Sequence, residues 1–566
     1  MNTLDLGSDV KVLDSSGCEA SRRGLAPLLG RPCFFVVLLG ITLLLGCGGE
    51  PTNNTNNSTT VSLSVSPSST LLDQGGTVQF SASVSGSSNP AVIWSIQEGS
   101  GGGSISETGL YTAPSGAMEV HVVATSLADP SKSFSALVTV SAVSVSLPST
   151  AGVPRGRQRQ FAVVVEGTVV KNVTWSVVEG TGGTITADGV YTAPMSGGPF
   201  HVTARSVTDP SKAATAAVML TDAGFRMLKS STLEPRISHT ATLLPNGKVL
   251  IAGGRSCDLD GCFGSRLSSA ELFDPANETF SVTGSMSFAR DSHTATLLNN
   301  GTVLVTGGGD PEDGSSADDY TSAEIYDPTT GSFTRVGRMT QGRTGHTASL
   351  LGDGRVLIAG GSVDVNGFGL TPSKTAEIYD PATQTFSPTG DMPNEAASHT
   401  ASVLLDGTVL VAGGYGGSCP DAQVGVAAFD PSSNSFIRGV NLTSAQAEHT
   451  ATTLNDGRVL IAGGWFVDSC NFSSEMYDTA VVFDPATSSY SSKLPMREPR
   501  AGHSATLLTD GKVLVVGSSA ELFDAVTSTF VITGDPNVPG RDRRATRLSD
   551  GRVLFTGSAA VAEIYE

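Results

Sequence analysis

The chain has 566 residues and carries 53 acidic against 34 basic side chains, a net charge of −19, with aromatic residues at 6%. Such a surplus of negative charge excludes nucleic acid as a partner, because its binders neutralise phosphates with stripes of lysine and arginine. An acidic chain rich in Gly, Ser and Thr fits a soluble protein facing the outside of a cell.

Residues 1–46 read as a signal segment. Arg22, Arg23 and Arg31 precede an apolar run from Phe34 to Leu45, short for a bilayer span and of signal-peptide length. The run ends in Leu44-Leu45-Gly46-Cys47, which resembles a bacterial lipobox. That resemblance implies cleavage before Cys47 and lipid attachment to it, so that membrane contact is by the lipid anchor only. Gly48 resembles outer-membrane sorting, which implies an outer-membrane lipoprotein of the cell envelope, periplasmic or surface-exposed. Residues 47–60 are polar and predict a flexible tether.

Two segments, 61–142 and 143–221, repeat each other. Trp94 and Trp175 lie 81 apart, and Gly109-Leu110-Tyr111-Thr112-Ala113-Pro114 returns as Gly189-Val190-Tyr191-Thr192-Ala193-Pro194. Short alternating strands between turn clusters predict two β-sandwiches, with the Trp and Tyr residues in their cores. The pair resembles bacterial group-2 immunoglobulin-like domains.

From residue 222 to 566 a longer unit recurs seven times. Asn246-Gly247, Asn300-Gly301, Asp353-Gly354, Asp406-Gly407, Asp456-Gly457, Asp510-Gly511 and Asp550-Gly551 each separate a Leu-rich run from a Val-Leu run. Each reads as a two-residue type I′ hairpin loop. His239, His293, His346, His399, His449 and His503 mark the period, and in the seventh unit Arg544 is expected in the histidine's place. A second run ending in Gly253-Gly254, a third such as Ala270-Glu271-Leu272-Phe273 and a fourth carrying Phe280 complete one propeller blade. The last unit stops in its third strand, and a strand near 225–228 repeats the missing fourth, so the ring is expected to close there. The fold class is therefore all-β: a seven-bladed propeller after two sandwiches. The Gly-Gly doublet and the two aromatics seven apart, Phe273 and Phe280, resemble the kelch-repeat family and the galactose-oxidase-like propellers.

Four cysteines fall in the propeller, Cys257, Cys262, Cys419 and Cys470. An even count in an exported chain reads as two disulfides, with the connectivity open. The six histidines recur in every unit and so read as structural; three or four converging ligands would be needed for a metal. The copper of galactose-oxidase-type enzymes needs two Tyr, two His and a Tyr-Cys cross-link, and no such set is visible. No catalytic residue and no cofactor are assigned. Calcium is a weak alternative at Asp258, Asp260, Asp310 and Asp313, which lack the spacing of a known calcium loop.

What varies from unit to unit is the loop between the second and third strands, long in units one to five and nearly absent in the last two. Variable loops on a rigid scaffold concentrate binding residues, and Tyr320, Tyr415, Trp465, Phe466 and Tyr477 are the candidates here. The expected function is non-catalytic binding or adhesion through this loop face, with a protein or glycan partner and an oligomeric state left open. The alternative is a carbohydrate-active enzyme, an oxidase or sugar isomerase, on the same ring.

Overall fold

The hairpin signals decide the architecture. In each of the seven units an antiparallel strand pair flanks the turn, as in Thr240–Leu243 with Val249–Ala252. A computed structural model describes residues 60–257, 264–309, 320–364, 370–417, 421–468, 473–538, 540, 542–557 and 559–566. The turns differ from expectation in one respect. Leu244 pairs with Lys248 and accepts from the Gly247 amide at 2.9 Å, so three residues, not two, form the loop. Only the glycine has positive φ, 81° at Gly247, while the Asn246 side chain accepts from the Lys248 amide at 3.0 Å. This is a type I turn followed by a left-handed glycine, and it recurs in all seven units.

In the first blade strands a (Thr240–Leu243) and b (Val249–Ala252) continue into c (Ala270–Asp274) and d (Thr279–Val282), and the pattern repeats to give seven sheets of four strands, the fifth with one extra short strand. The ring is a seven-bladed β-propeller. Strand b is buried at every residue in every blade, Val249–Ala252 and Val303–Thr306 among them. Burying one such aliphatic side chain contributes about 1.5–3 kcal/mol, so the seven b strands form the inner core. Strands c and d are joined by an aromatic pair in blades one to six, Phe273 with Phe280 at 4.9 Å in the first.

The histidines bind blade to blade. Nε2 of His293 meets Thr240 Oγ1 of the preceding blade at 3.0 Å, and His399, His449 and His503 repeat the contact on Thr347, Thr400 and Thr450, each at 2.9 Å. His239 closes the circle on Thr556 at 2.8 Å. The Gly-Gly doublet makes room for this packing. A Cβ on Gly253 would come within 2.6 Å of the His293 Cε1, and one on Gly254 within 3.0 Å of the His239 Cβ. The seventh blade corrects the sequence register by one residue. Arg544 pairs with Thr556 as Thr240 pairs with Ala252, so Arg543, not Arg544, takes the histidine's place.

A second repeated bond was not foreseen. Arg290 and Glu324, Arg343 and Glu377, and Arg500 and Glu521 form fully buried ion pairs of 2.8, 2.9 and 2.7 Å. Arg236 and Glu271 take the same places in blade one. Each strut ties the segment entering a blade to that blade's strand c. Removing one partner of such a pair costs about 3–5 kcal/mol, because the other charge stays buried. In blade seven Arg543 reaches Glu563 at 2.6 Å from the histidine position. Blades four and five lack the strut and have lost both members, Ala396 with Ala427 and Gln446 with Val481.

The last blade takes its fourth strand from the start of the ring. Phe225–Ser231 pairs antiparallel with Val561–Tyr565, Phe225 opposite Tyr565. Upstream lie two modules with matching topology, in which a four-stranded sheet faces smaller sheets across a shared core. Tyr111 and Tyr191 are fully buried there, and each hydroxyl donates to a backbone carbonyl, of Gly102 and Gly182. Trp94 and Trp175 pack on those cores half-buried. The second module is clamped to the ring by Asp535, whose buried carboxylate accepts from Gly152 N at 2.8 Å, Ala520 N at 2.9 Å, Arg497 at 3.0 Å and Arg159.

Candidate functional site

The chain enters each strand a through a residue with left-handed backbone. Ser238, Ser292, Gly345, Ser398, Glu448, Gly502 and Asp542 have φ between 52° and 61°. Their amides and carbonyls link into a belt: Ser292 N to Ser238 O at 2.9 Å, Gly345 N to Ser292 O at 2.9 Å, and Gly502 N to Glu448 O at 2.9 Å. The belt rims a central cavity of about 400 Å³. Gly takes this conformation at low cost and Asp with some ease; Ser and Glu held there cost on the order of 1 kcal/mol each.

The cavity's electrostatics follow from burial. All six imidazoles are shut inside the sheets, and burial pushes His399 down to about 4, and His449 and His503 to about 3. They are neutral at pH 7 and add no charge to the cavity. Arg544 replaces the first threonine or serine of strand a and projects into it. Its guanidinium is walled by protein, which lowers its proton affinity, with Asp542 opposing; water still reaches it because it lies in the channel. Nε donates to the His239 carbonyl at 2.8 Å. Among the described residues no bond engages its two terminal nitrogens.

The loops that vary among blades rise from the same mouth. They begin just after the Gly-Gly doublet, and in blades one, three, four and five they bridge to the segment entering strand a, as Tyr415 does to Ala397 and Trp465 to Ala447. In blades three to five the loops are hairpins, Ser362–Asp364 with Leu370–Pro372, Tyr415–Gly416 with Asp421–Ala422, and Trp465–Asp468 with Ser473–Met476. Blade six passes directly from Gly517 through Ser519 into strand c.

The five aromatic candidates separate into two groups. Tyr415 and Trp465 hold equivalent places above the mouth, and Tyr415 Oη donates to Glu448 Oε1 at 3.0 Å. Burial and the adjacent carboxylate raise the Tyr415 hydroxyl's pKa. Phe466 lies on the same hairpin, opposite Glu475. Tyr320 and Tyr477 stand instead at the returning ends of their loops. The Tyr320 ring packs on Gly342, and Tyr477 Oη donates to the Ala445 carbonyl at 3.2 Å. Glu448, Asp542 and the true register of Arg544 are the site features that the sequence reading missed.

Cys257 takes part in a disulfide. Cys47, Cys262, Cys419 and Cys470 lie outside the described residues, as do Asp258, Asp260, Asp310 and Asp313. Among the described residues no three His, Cys, Asp or Glu side chains converge as a metal set would.

A family model described as the KLHDC2/KLHL20/DRC7 Kelch-repeats domain matches residues 293–518. No curated protein matches the chain. Among solved structures, one titled "Structure of YjhT" is 15% identical, with a TM-score of 0.42, covering 54% of this chain and 99% of its own. Another is a fungal alcohol oxidase of the AA5 family in complex with copper, 16% identical, with a TM-score of 0.47, covering 61% of this chain and 76% of its own. The ring is a kelch-type propeller on the strength of its seven blades and the matched repeats.

Proposed function

We propose that this protein is a lipid-anchored lipoprotein of the cell envelope. Its two upstream modules, similar to group-2 immunoglobulin-like domains, carry a propeller that binds glycan at its loop-bearing mouth without chemistry. The observation that carries this reading is where the repeat is broken. Positions that serve the fold recur in every blade, so departures mark other uses. The departures gather at one mouth: Glu448 in the left-handed belt, Tyr415 bonded to it, Trp465 beside it, and both struts gone from these two blades. Aromatic faces next to carboxylates that accept from hydroxyls suit sugar rings.

Binding of the full chain to a glycan array tests the reading. Trp465→Ala is expected to weaken the strongest signal about tenfold with the melting temperature held. Unchanged binding, or oxidation of sugar by the copper-loaded chain, would count against it; capture of a protein by the Trp465 face would move the ligand class. The anchor is tested separately. Cys47→Ala should shift the protein from the membrane fraction to the soluble one, and persistent acylation would remove the lipoprotein reading.

A further inference from the structure

The mouth carries one kind of donor that a neutral sugar does not require. In six blades the first residue of strand a is Thr or Ser, from Thr240 to Ser504; in the seventh it is Arg544. Nothing in the fold demands the exchange. His239, deprived of a threonine partner in that place, bonds Thr556 instead, and Arg543 supplies the strut to Glu563. Arg544 spends one nitrogen on the His239 carbonyl and directs the rest of a planar fork into the cavity. The Ser238 hydroxyl, in the adjoining blade, and the Ser398 hydroxyl, three blades round, line the same space, with no bond to either among the described residues. Two blades round the ring stands Glu448, and Asp542 precedes Arg544 itself.

We propose that the channel mouth binds a polyhydroxy carboxylate, a sugar acid of uronate type, with the carboxylate seated on Arg544 and the ring hydroxyls shared among Ser238, Ser398 and Glu448. With Nε engaged, the two terminal nitrogens leave one N–H edge of the planar guanidinium that matches a carboxylate in bidentate geometry. The surrounding chain is strongly acidic, at −19, and repels anions at long range. Arg544, the one cation among the described residues that line the pocket, therefore selects a ligand that pairs with it directly and whose hydroxyls satisfy the rim. This inference deepens the glycan reading and rests on it.

The test is calorimetric titration of the full chain with glucuronate and galacturonate, against glucose and galactose as their neutral counterparts. Uronates are expected to bind at least tenfold more tightly than the neutral sugars. Arg544→Thr, which restores the residue of the other blades, should abolish that preference, a loss of about ten- to hundredfold in uronate affinity. Arg544→Gln serves as a second variant should the threonine perturb blade seven, and the melting temperature of each is measured alongside. Raising salt should weaken uronate binding by the unmodified protein and leave neutral-sugar binding level. The proposal is overturned if uronates bind no better than neutral sugars, or if the preference survives both substitutions. Uronates and neutral sugars that bind equally well, with both lost in Trp465→Ala, would sink this inference while leaving the glycan reading standing.

Discussion

Lowering the pH from 7 to 5 should cut the stability of the propeller steeply. Burial holds His399 near 4 and His449 and His503 near 3, and His239, His293 and His346 well below their ordinary value of 6.5. In the unfolded chain all six titrate near 6.5, so below that pH unfolding takes up protons that the folded ring refuses. Stability from neutral, buried imidazoles is thus complete above about pH 6.5 and is lost as the pH falls toward 3–4. Each such histidine contributes up to about 1.4 kcal/mol per pH unit in this window. Burial raises Glu271 and Glu521 and acts in the opposite direction, but among the described residues only these two carboxylates do so against six imidazoles. Thermal melts at pH 7.5, 6 and 5 should show a falling midpoint, and unfolding at pH 5 should absorb several protons. A flat midpoint over that range would show that the imidazoles are not held neutral by the fold.

Removing the grip of the closing strand should be as damaging. Phe225 packs with Leu514, Val516, Val553, Phe555 and Tyr565, at the join of blades six and seven. Leu228 packs with Val249, Ile251, Phe273 and Ile564, at the join of blades seven and one. One strand therefore seals two interfaces. Arg226 adds paired contacts to Glu278 at 2.7 and 3.0 Å, which tie blade seven to blade one. Large-to-small changes at buried Phe and Leu cost about 3–5 and 2–5 kcal/mol, so Phe225→Ala with Leu228→Ala should remove about 5 kcal/mol or more. Denaturant unfolding would show it as a lower midpoint. Were the midpoint to stay in place, the strand would be dispensable for closure.

Most of the ring was legible because its signals are local and redundant. Seven turn pairs, buried strand-b runs and the Gly-Gly doublets each declare a blade, and errors in one unit are corrected by the others. The misread register in unit seven shows the limit of that redundancy. Without a histidine the frame has no visible anchor, although counting seven residues back from each turn residue, as from Asn246 to His239, lands on Arg543. The turn type was misjudged for a different reason: Asn-Gly and Asp-Gly occur both in two-residue loops and in three-residue loops ending in a left-handed glycine, and backbone dihedrals decide between them. The Arg–Glu struts were hidden because Arg290 and Glu324 stand 34 residues apart and neither alone departs from an ordinary surface pattern. Glu448 was within reach. It stands in a column otherwise made of Ser, Gly and Asp, whose common property is a positive φ that the residue types alone do not declare. Tyr320 and Tyr477 were read simply as loop aromatics; that the returning ends of their loops also use them for packing is a contact between distant residues, which one sequence does not display.

The Asp535 clamp sits upstream of the closing strand in the chain's route from the second module into the ring. Tension applied toward the N-terminus reaches Gly152 and Arg159 before it reaches Phe225. The load then passes through a buried carboxylate into blade six, which is continuous with the rest of the ring, and the seam between Phe225–Ser231 and Val561–Tyr565 lies in the mechanical shadow of that joint. The piece of chain that holds the circle shut is spared a pull applied at the N-terminal side of the ring.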